Sequence, residues 1–391
     1  MFPGRHPAVT ITTLTEQAAR RVERGAPAIR REDIVSVEGA TDTSEPIELR
    51  DPEGMPVGIG DFAEGEGEIA VRRLGLPHES AEGFIPRQVR RAMERRAMLV
   101  DDPRYCRFIN DEGDAMPGLA VDRFDGHFAV QTTTRAMDRR LEEIVRSLVE
   151  VAQARSVILR NDSQRRERAG LPKERSRVLW GTPPRWTRLL ELGARLSIDL
   201  LHGSETGYSY ALREVRRTVE RLSESARVLD PSCFVGGTIV QAGLGGAREI
   251  VAFAQDFESA DLARENVEAN GLMNRAAVDV ATPLEALRAL DRTFDLVLLH
   301  ASARGPDRDR WTQELDELIL LSLKATRHGG RLLIAAPDAA LGSKPLEAHV
   351  LLACDAEGRA AYRLLRPAAP ADFPAPAGAP DALASVVLEI A

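Results

Sequence analysis

The chain has 391 residues, three cysteines, 43% hydrophobic residues and a formal net charge of -8. This length exceeds one ordinary domain and allows two or three separate cores. Cys106, Cys233 and Cys354 are too few and too scattered for a disulfide framework or a zinc cluster. The acidic balance argues against indiscriminate nucleic-acid binding. No run approaches the ~20 apolar residues of a membrane span, and MFPGRHPAVTITTLTEQ holds no apolar signal core, so a cytoplasmic location is expected.

Thr15 to Arg24 has helical spacing, and the pieces DIVSVEG, PIELRD, MPVGIGDF and EIAVRRL then alternate with turns between Ile34 and Leu74. That pattern predicts a small β-rich module. A helix over Arg87 to Leu99 leads into a second region, where RFINDEGDAMPGLAVDRFDGHFAVQTTT reads as two strands joined through loops. Met137 to Ala154 is amphipathic, with Leu141, Ile144, Val145, Leu148 and Val151 at helical intervals, and SVILRND and RLSIDLLHG follow as strands. These pieces make a self-contained α+β unit.

From Val228 onward strands and helices alternate. ARVLD, EIVAFAQ, AAVDVA, FDLVLLH, RLLIAAP and ASVVLEI are the strands; the helices fall near Ser259 to Asn270, Pro283 to Leu290, Gln313 to Ala325 and Pro345 to Ala353. Alternation of this kind implies a parallel sheet with helices on both faces. Gly329-Gly330 reads as a helix stop, and Pro367 to Pro380 as a Pro/Ala-rich loop. The sharpest local signal is RVLDPSCFVGGTIVQAGLGG, a strand ending at Asp230, a turn at Gly236-Gly237 and a helix. A glycine turn beyond the carboxyl end of such a strand lets the backbone approach a nucleotide-like ligand, and it also serves as an ordinary βα turn.

Arginines cluster twice: Arg87, Arg90, Arg91, Arg95 and Arg96 in one helix, and Arg160, Arg165, Arg166, Arg168, Arg175 and Arg177 with Lys173 in a later segment. On composition alone these are solvated faces of an arginine-rich chain.

Three long segments, in order, carry a resemblance. NDEGDAMPGLAVDRF at Asn110 to Phe124, ILRNDSQRRERAGL at Ile158 to Leu171 and HGSETGYSYALRE at His202 to Glu214 are similar to the NDEGDxLPGLVVDRY, RNDSxxRxxEGL and GxKTGYYLDQRE segments of the bacterial large-subunit ribosomal RNA cytosine-5 methyltransferases. The resemblance implies an α/β chain with a PUA-like β domain over residues 1–76, a central α+β domain over 77–195 and a class I S-adenosyl-L-methionine (SAM) methyltransferase domain, Rossmann-like, over 196–391. It implies RNA, ribosomal RNA in particular, as partner and SAM as cofactor; the composition adds the expectation of no membrane and no metal. A homodimer is compatible with the sequence. The arginine clusters would then contact phosphates.

The same resemblance implies that the positions bearing the chemistry have changed. The family attacks the pyrimidine ring with a cysteine thiolate from a Ser-Cys-Ser turn; here the corresponding turn carries Pro337-Asp338. The family's Asp-Pro-Pro after FDLVLL is replaced by His300-Ala301-Ser302, in which His300 is either a new base or a neutral filling. Glu205 stands for lysine and Ala211-Leu212 for Asp-Gln, while Thr206, Gly207, Tyr208 and Arg213 remain. For SAM, Asp230, Gly236 and Gly237 are in place and Asp279 matches the adenine-binding acid. The ribose-binding acid falls on Ala254, with Asp256 two positions on as its replacement. A lost ribose contact costs about 1–3 kcal/mol, tenfold or more in affinity. In the PUA region the family's RGHPWVF is RGAPAIR at 24–30, without the aromatic ring that stacks on unpaired bases.

Three readings follow: an RNA-associated relative that has lost the cysteine-dependent chemistry, an active SAM-dependent RNA methyltransferase with another mechanism in which His300 or Asp338 is the base, and a methyltransferase of small molecules or proteins.

Overall fold

A computed structural model describes residues 10–41, 45–63, 68–204, 206–301, 308–336, 343–376 and 383–391. The chain divides into two compact units, Met1–Pro183 with Pro374–Gly378, and Pro184–Phe373 with Ala379–Ala391.

The first unit opens with β1 (Ile11–Leu14), α1 (Glu16–Glu23), β2 (Ala28–Arg30), β3 (Ile34–Glu38), β4 (Ile47–Arg50), β5 (Pro56–Phe62) and β6 (Ile69–Leu74), the strands forming one sheet in the order β2-β6-β5-β4-β1-β3. Helix α1 starts because the Thr15 side chain accepts a hydrogen bond from the Ala18 amide, satisfying an otherwise orphaned donor. Its Ala18, Ala19 and Val22 pack with Leu14, Ile47, Leu49 and Val71 as a small core.

The rest of this unit runs α2 (Phe84–Leu99), β7 (Tyr105–Asn110), β8 (Leu119–Phe124), β9 (His127–Thr132), α3 (Arg135–Arg139), α4 (Leu141–Glu150), β10 (Ser156–Leu159), α5 (Gln164–Arg168) and β11 (Arg177–Gly181), with a sheet ordered β11-β10-β9-β8-β7. Two expectations change here. The segment expected as two strands makes three, because Asp125-Gly126 turns β8 straight into β9. The single helix expected from Met137 breaks at Arg140, whose guanidinium turns inward onto Asp61 at 2.5 Å.

Several arginines of the two clusters are tied to carboxylates within the fold. Arg96 is 1% exposed and grips Asp114 through both terminal nitrogens at 2.6 and 2.7 Å. Arg91 and Arg87 pair with Glu79, and Arg95 with Asp114. Arg166, also buried, holds Asp138 at 2.8 Å and the Thr132 carbonyl at 2.9 Å, while Arg165 pairs with Asp111 and Lys173 with Glu167. Buried charges need partners of this kind, so the conspicuous NDEGD and RNDSQRR segments here brace the fold.

The second unit begins with the hairpin β12 (Thr187–Glu191) and β13 (Ala194–Ile198) and continues α6 (Arg213–Leu222), β14 (Arg227–Asp230), α7 (Gly237–Leu244), β15 (Glu249–Ala254), α8 (Phe257–Ala269), β16 (Ala276–Val280), α9 (Pro283–Ala289), β17 (Phe294–His300), α10 (Arg308–Ala325), β18 (Thr326–Ala336), α11 (Ser343–Glu357), β19 (Ala361–Leu365) and β20 (Ala384–Ile390). The seven-stranded sheet is ordered β16-β15-β14-β17-β18-β20-β19. Its first five strands are parallel, as alternation implies, but β20 runs antiparallel to both β18 and β19, so the sheet is mixed. Among the described residues between β19 and β20 there is no helix. Gly329-Gly330 lies inside β18, which already begins at Thr326. Val297, Leu299, Leu332, Ile334 and Val386 bury one sheet face against Leu315, Ile319, Leu346 and Val350 of α10 and α11. Each such side chain contributes about 1.5–3 kcal/mol. No helix among the described residues is long and apolar enough to cross a membrane.

Candidate functional site

The strand order reverses direction between β14 and β17, since β15 and β16 lie to one side of β14 and β18 to the far side of β17. Ligands of open α/β sheets bind outside the carboxyl ends of the strands at such a switch point. Asp230 ends β14 and His300 ends β17, and a cleft opens there within the second unit.

The turn after β14 forms one wall. Phe234 and Gly236 both have positive φ, 50° and 84°, a conformation that only glycine adopts cheaply. At Gly237 a Cβ would lie 2.8 Å from Cε2 of the Tyr208 ring. Gly237, Thr238, Phe234 and Cys233 line the cleft, with Ser259 of α8 at its edge. Cys233 is 3% exposed, and burial together with the nearby Asp230 pushes its thiol well above the ordinary range. It is a neutral thiol at physiological pH, and thiolates are the nucleophilic form.

The second wall comes from the turn before α6. Asp199 accepts hydrogen bonds from the Leu201 and His202 amides, and Gly203 and Gly207 pack so close to the Asp199 carbonyl that a Cβ would come within 2.5 and 2.7 Å of its oxygen. This places Tyr208 and Arg216 on the cleft. Beneath them Glu191 accepts from Tyr208 Oη at 2.7 Å, Arg213 Nε at 2.9 Å and Arg216 Nε at 2.5 Å; Arg213 Nη1 donates to Asp372 at 2.7 Å. Burial would raise the Glu191 pKa, but Arg216 and Arg213 win and hold it below the ordinary value. Burial raises Tyr208, so its hydroxyl stays a donor.

His300 forms the floor. Its side chain is 2% exposed, its Nε2 lies 3.5 Å from Asp230 Oδ2, and its ring stands edge-on to Phe234 with centroids 6.2 Å apart. Asp230 is fully buried; its Oδ1 accepts from the Ser232 amide, while Oδ2 and His300 Nδ1 have no hydrogen-bond partner among the described residues. Asp230 itself is outside the cleft lining and faces His300 instead.

Of the residues expected from the sequence, His300 and Gly237 line the cleft, with Gly236 and Asp230 immediately behind. Three others stand elsewhere. Arg213 is locked in the Glu191 and Asp372 ion pairs, and the next turn of α6 supplies Arg216 to the cleft in its place. Asp256 is exposed and caps α8, accepting from the Ser259 amide and hydroxyl at 2.8 and 3.0 Å. Asp279 is exposed on the edge strand β16, away from the lining. Glu205, Pro337 and Asp338 lie outside the described residues. Glu191 and Arg216 were missed; the alternation of TRLLE was the available signal, since it turns a glutamate toward an apolar face. No cluster among the described residues has the makings of a metal site.

A PUA-like domain model matches residues 13–75. Ribosomal RNA large subunit methyltransferase I of Klebsiella pneumoniae is 28% identical over 274 residues, 68% of this chain and 68% of its own. The protein of that name from Escherichia coli strain K12 is 28% identical over 274 residues, covering 68% and 69%. Among solved structures, a protein from Streptococcus mutans described as a SAM-dependent methyltransferase superposes with a TM-score of 0.77 at 16% identity, over 97% of this chain and 99% of that one. A methyltransferase solved in complex with SAH gives 0.78 at 15% identity, over the same 97% and 99%. At these identities the structural likeness is one of fold.

Proposed function

We propose that this protein is an RNA-associated member of the SAM-dependent ribosomal RNA methyltransferases that no longer makes 5-methylcytosine through a cysteine adduct. The observation that carries this reading is the chemistry of the cleft. Its only thiol among the described residues, Cys233, is buried in the glycine turn and held neutral, while the group at the end of β17 is an imidazole backed by a carboxylate. The likeness over 68% of the chain to proteins named for ribosomal RNA methylation, and the PUA-like module, support RNA as the partner.

The cofactor is SAM, which supplies an electrophilic methyl group when bound. The residues fit it in part. The turn 233–238, with α7 starting behind it, offers backbone donors and a concave wall, and Thr238 and Ser259 offer hydroxyls. The carboxylates expected at the sugar and base are otherwise engaged or distant, since Asp256 caps a helix and Asp279 lies outside the lining. Weak binding follows. Isothermal calorimetry on the full chain tests it: low-micromolar SAM affinity overturns this part. Mass spectrometry of ribosomal RNA from a deletion strain tests the chemistry, because disappearance of one 5-methylcytosine would contradict the lost-adduct reading.

A second reading is favoured by one feature, the imidazole of His300 at the cleft floor, whose buried Nδ1 has no hydrogen-bond partner among the described residues. A nitrogen or oxygen acceptor needs no covalent adduct, only proximity and a group to take its proton. His300, which lines the cleft with Asp230 behind it, is the candidate group for that role.

A further inference from the structure

The hairpin of β12 and β13 has two unlike faces. Alternation along both strands turns Thr187, Leu189, Glu191, Ala194, Leu196 and Ile198 inward, all buried. The opposite face carries Trp186, Arg188 and Leu190, with Arg195 directly across from Leu190 and Ser197 across from Arg188. Trp186 is 40% exposed and the Arg185 guanidinium lies over its ring, 5.1 Å from the centroid.

Many arginines of the chain are paired with carboxylates, Arg96, Arg140, Arg166, Arg213 and Arg216 among them. Arg185, Arg188 and Arg195 have no carboxylate within ion-pair distance among the described residues. Three exposed guanidinium groups thus lie along one hairpin, Arg185 over the Trp186 ring and Arg188 and Arg195 further along the strands, on a protein with a net charge of -8. A protein that binds single-stranded nucleic acid needs this pairing, cations for the phosphates and an aromatic plane on which a base stacks.

We infer that the outer face of this hairpin is a docking surface for single-stranded RNA, with a base stacked on Trp186 and phosphates held by Arg185, Arg188 and Arg195. This deepens the RNA reading above and rests on it. The hairpin also joins the surface to the cleft. Glu191 on its inner face is the carboxylate that orients Tyr208 and Arg216, which line the cleft, so RNA bound on one face meets the element that shapes the site on the other.

The test is the affinity of the full-length protein for a labelled, unstructured oligouridylate of about 12 nucleotides, measured by fluorescence anisotropy over a range of salt, beside a duplex of equal length. Trp186→Ala is expected to weaken single-strand binding by about tenfold or more and to spare the duplex, with Trp186→Phe recovering most of the loss because phenylalanine also stacks. Arg185→Ala, Arg188→Ala and Arg195→Ala combined should weaken both and lower the salt slope by about 2, three phosphates at roughly 0.7 each. All substituted side chains are exposed, and an unchanged melting temperature certifies the fold of each variant. If the wild type binds the oligonucleotide and these variants bind equally well, the docking surface is wrong and the RNA reading stands. If the wild type binds neither RNA, both fall. Binding of polyglutamate as tight as that of RNA, unaffected by Trp186→Ala, would make the face a site for acidic peptides and overturn the inference.

Discussion

His300 Nε2 and Asp230 Oδ2 face each other at 3.5 Å, both shut off from water at the carboxyl ends of adjacent strands. The imidazole is the nearest compensation for a carboxylate oxygen that no hydrogen bond satisfies. Removing it should therefore be felt in stability as well as in binding. His300→Ala is expected to destabilise the protein by about 1–3 kcal/mol in urea titrations, the usual cost of an orphaned buried polar group. Adding Asp230→Asn should recover part of that loss, with a coupling of more than about 0.5 kcal/mol. Strict additivity would show that the two side chains do not interact.

Glu191 gives a pH dependence of definite sign. Its pKa is lowered in the fold because, against burial, Arg216 and Arg213 stabilise the carboxylate. A depressed acid contributes stability that is complete above its unfolded value of about 4.3 and disappears as pH falls through the folded value. Thermal melts should show an acid-induced loss below about pH 4.3 that Glu191→Gln lacks. At neutral pH this variant should already be weaker by about 3–5 kcal/mol, since the buried guanidinium groups lose their shared counter-charge. A variant as stable as the wild type at pH 7 would refute the network's role.

Cys233 is expected to be unreactive in the native state. With its thiol raised by burial and by Asp230, iodoacetamide at pH 8 should label it far more slowly than it labels the urea-unfolded chain. Cys233→Ala should leave SAM affinity within a few fold. Rapid native labelling followed by loss of methyl transfer would restore a thiol mechanism.

Gly237→Ala is a packing experiment. The new methyl would sit 2.8 Å from a Tyr208 ring whose hydroxyl is tied to Glu191, so neither side yields easily. A loss of about 1–3 kcal/mol is expected. Tyr208→Leu in the same chain should relieve the clash, and a cycle of the four proteins in denaturant would measure the coupling.

The sequence made the αβ alternation legible because central strands such as FDLVLLH are buried on both faces and helices announce their starts, as Thr282, Pro283 and Glu285 do with a capping box at α9. The antiparallel return of β20 left no such trace, since strand direction depends on a loop rather than on periodicity. Within the site, Gly236 and Gly237 were legible from the strand-turn-helix grammar, whereas His300 came only from the resemblance, as the residue standing for the family's Asp-Pro-Pro. Arg213 and Arg216 were not distinguishable: both sit on one amphipathic helix, and only the packed position of Glu191 decides which of them faces the cleft. Asp256 looked like a ligand because aspartate after a strand is also the commonest way to begin a helix, which is what it does here. The arginine clusters looked like surface charge because their partners, Asp114 and Asp138 among them, lie 18 to 28 positions away in sequence.

The contact between Gly237 and Tyr208 bears on how descendants of this chain would change. A glycine required by a neighbouring aromatic ring stays under selection for folding after any donor has ceased to bind. A Gly-Gly fingerprint accompanied by this tyrosine is therefore an inherited packing constraint, and its persistence in a lineage is no measure of retained methylation.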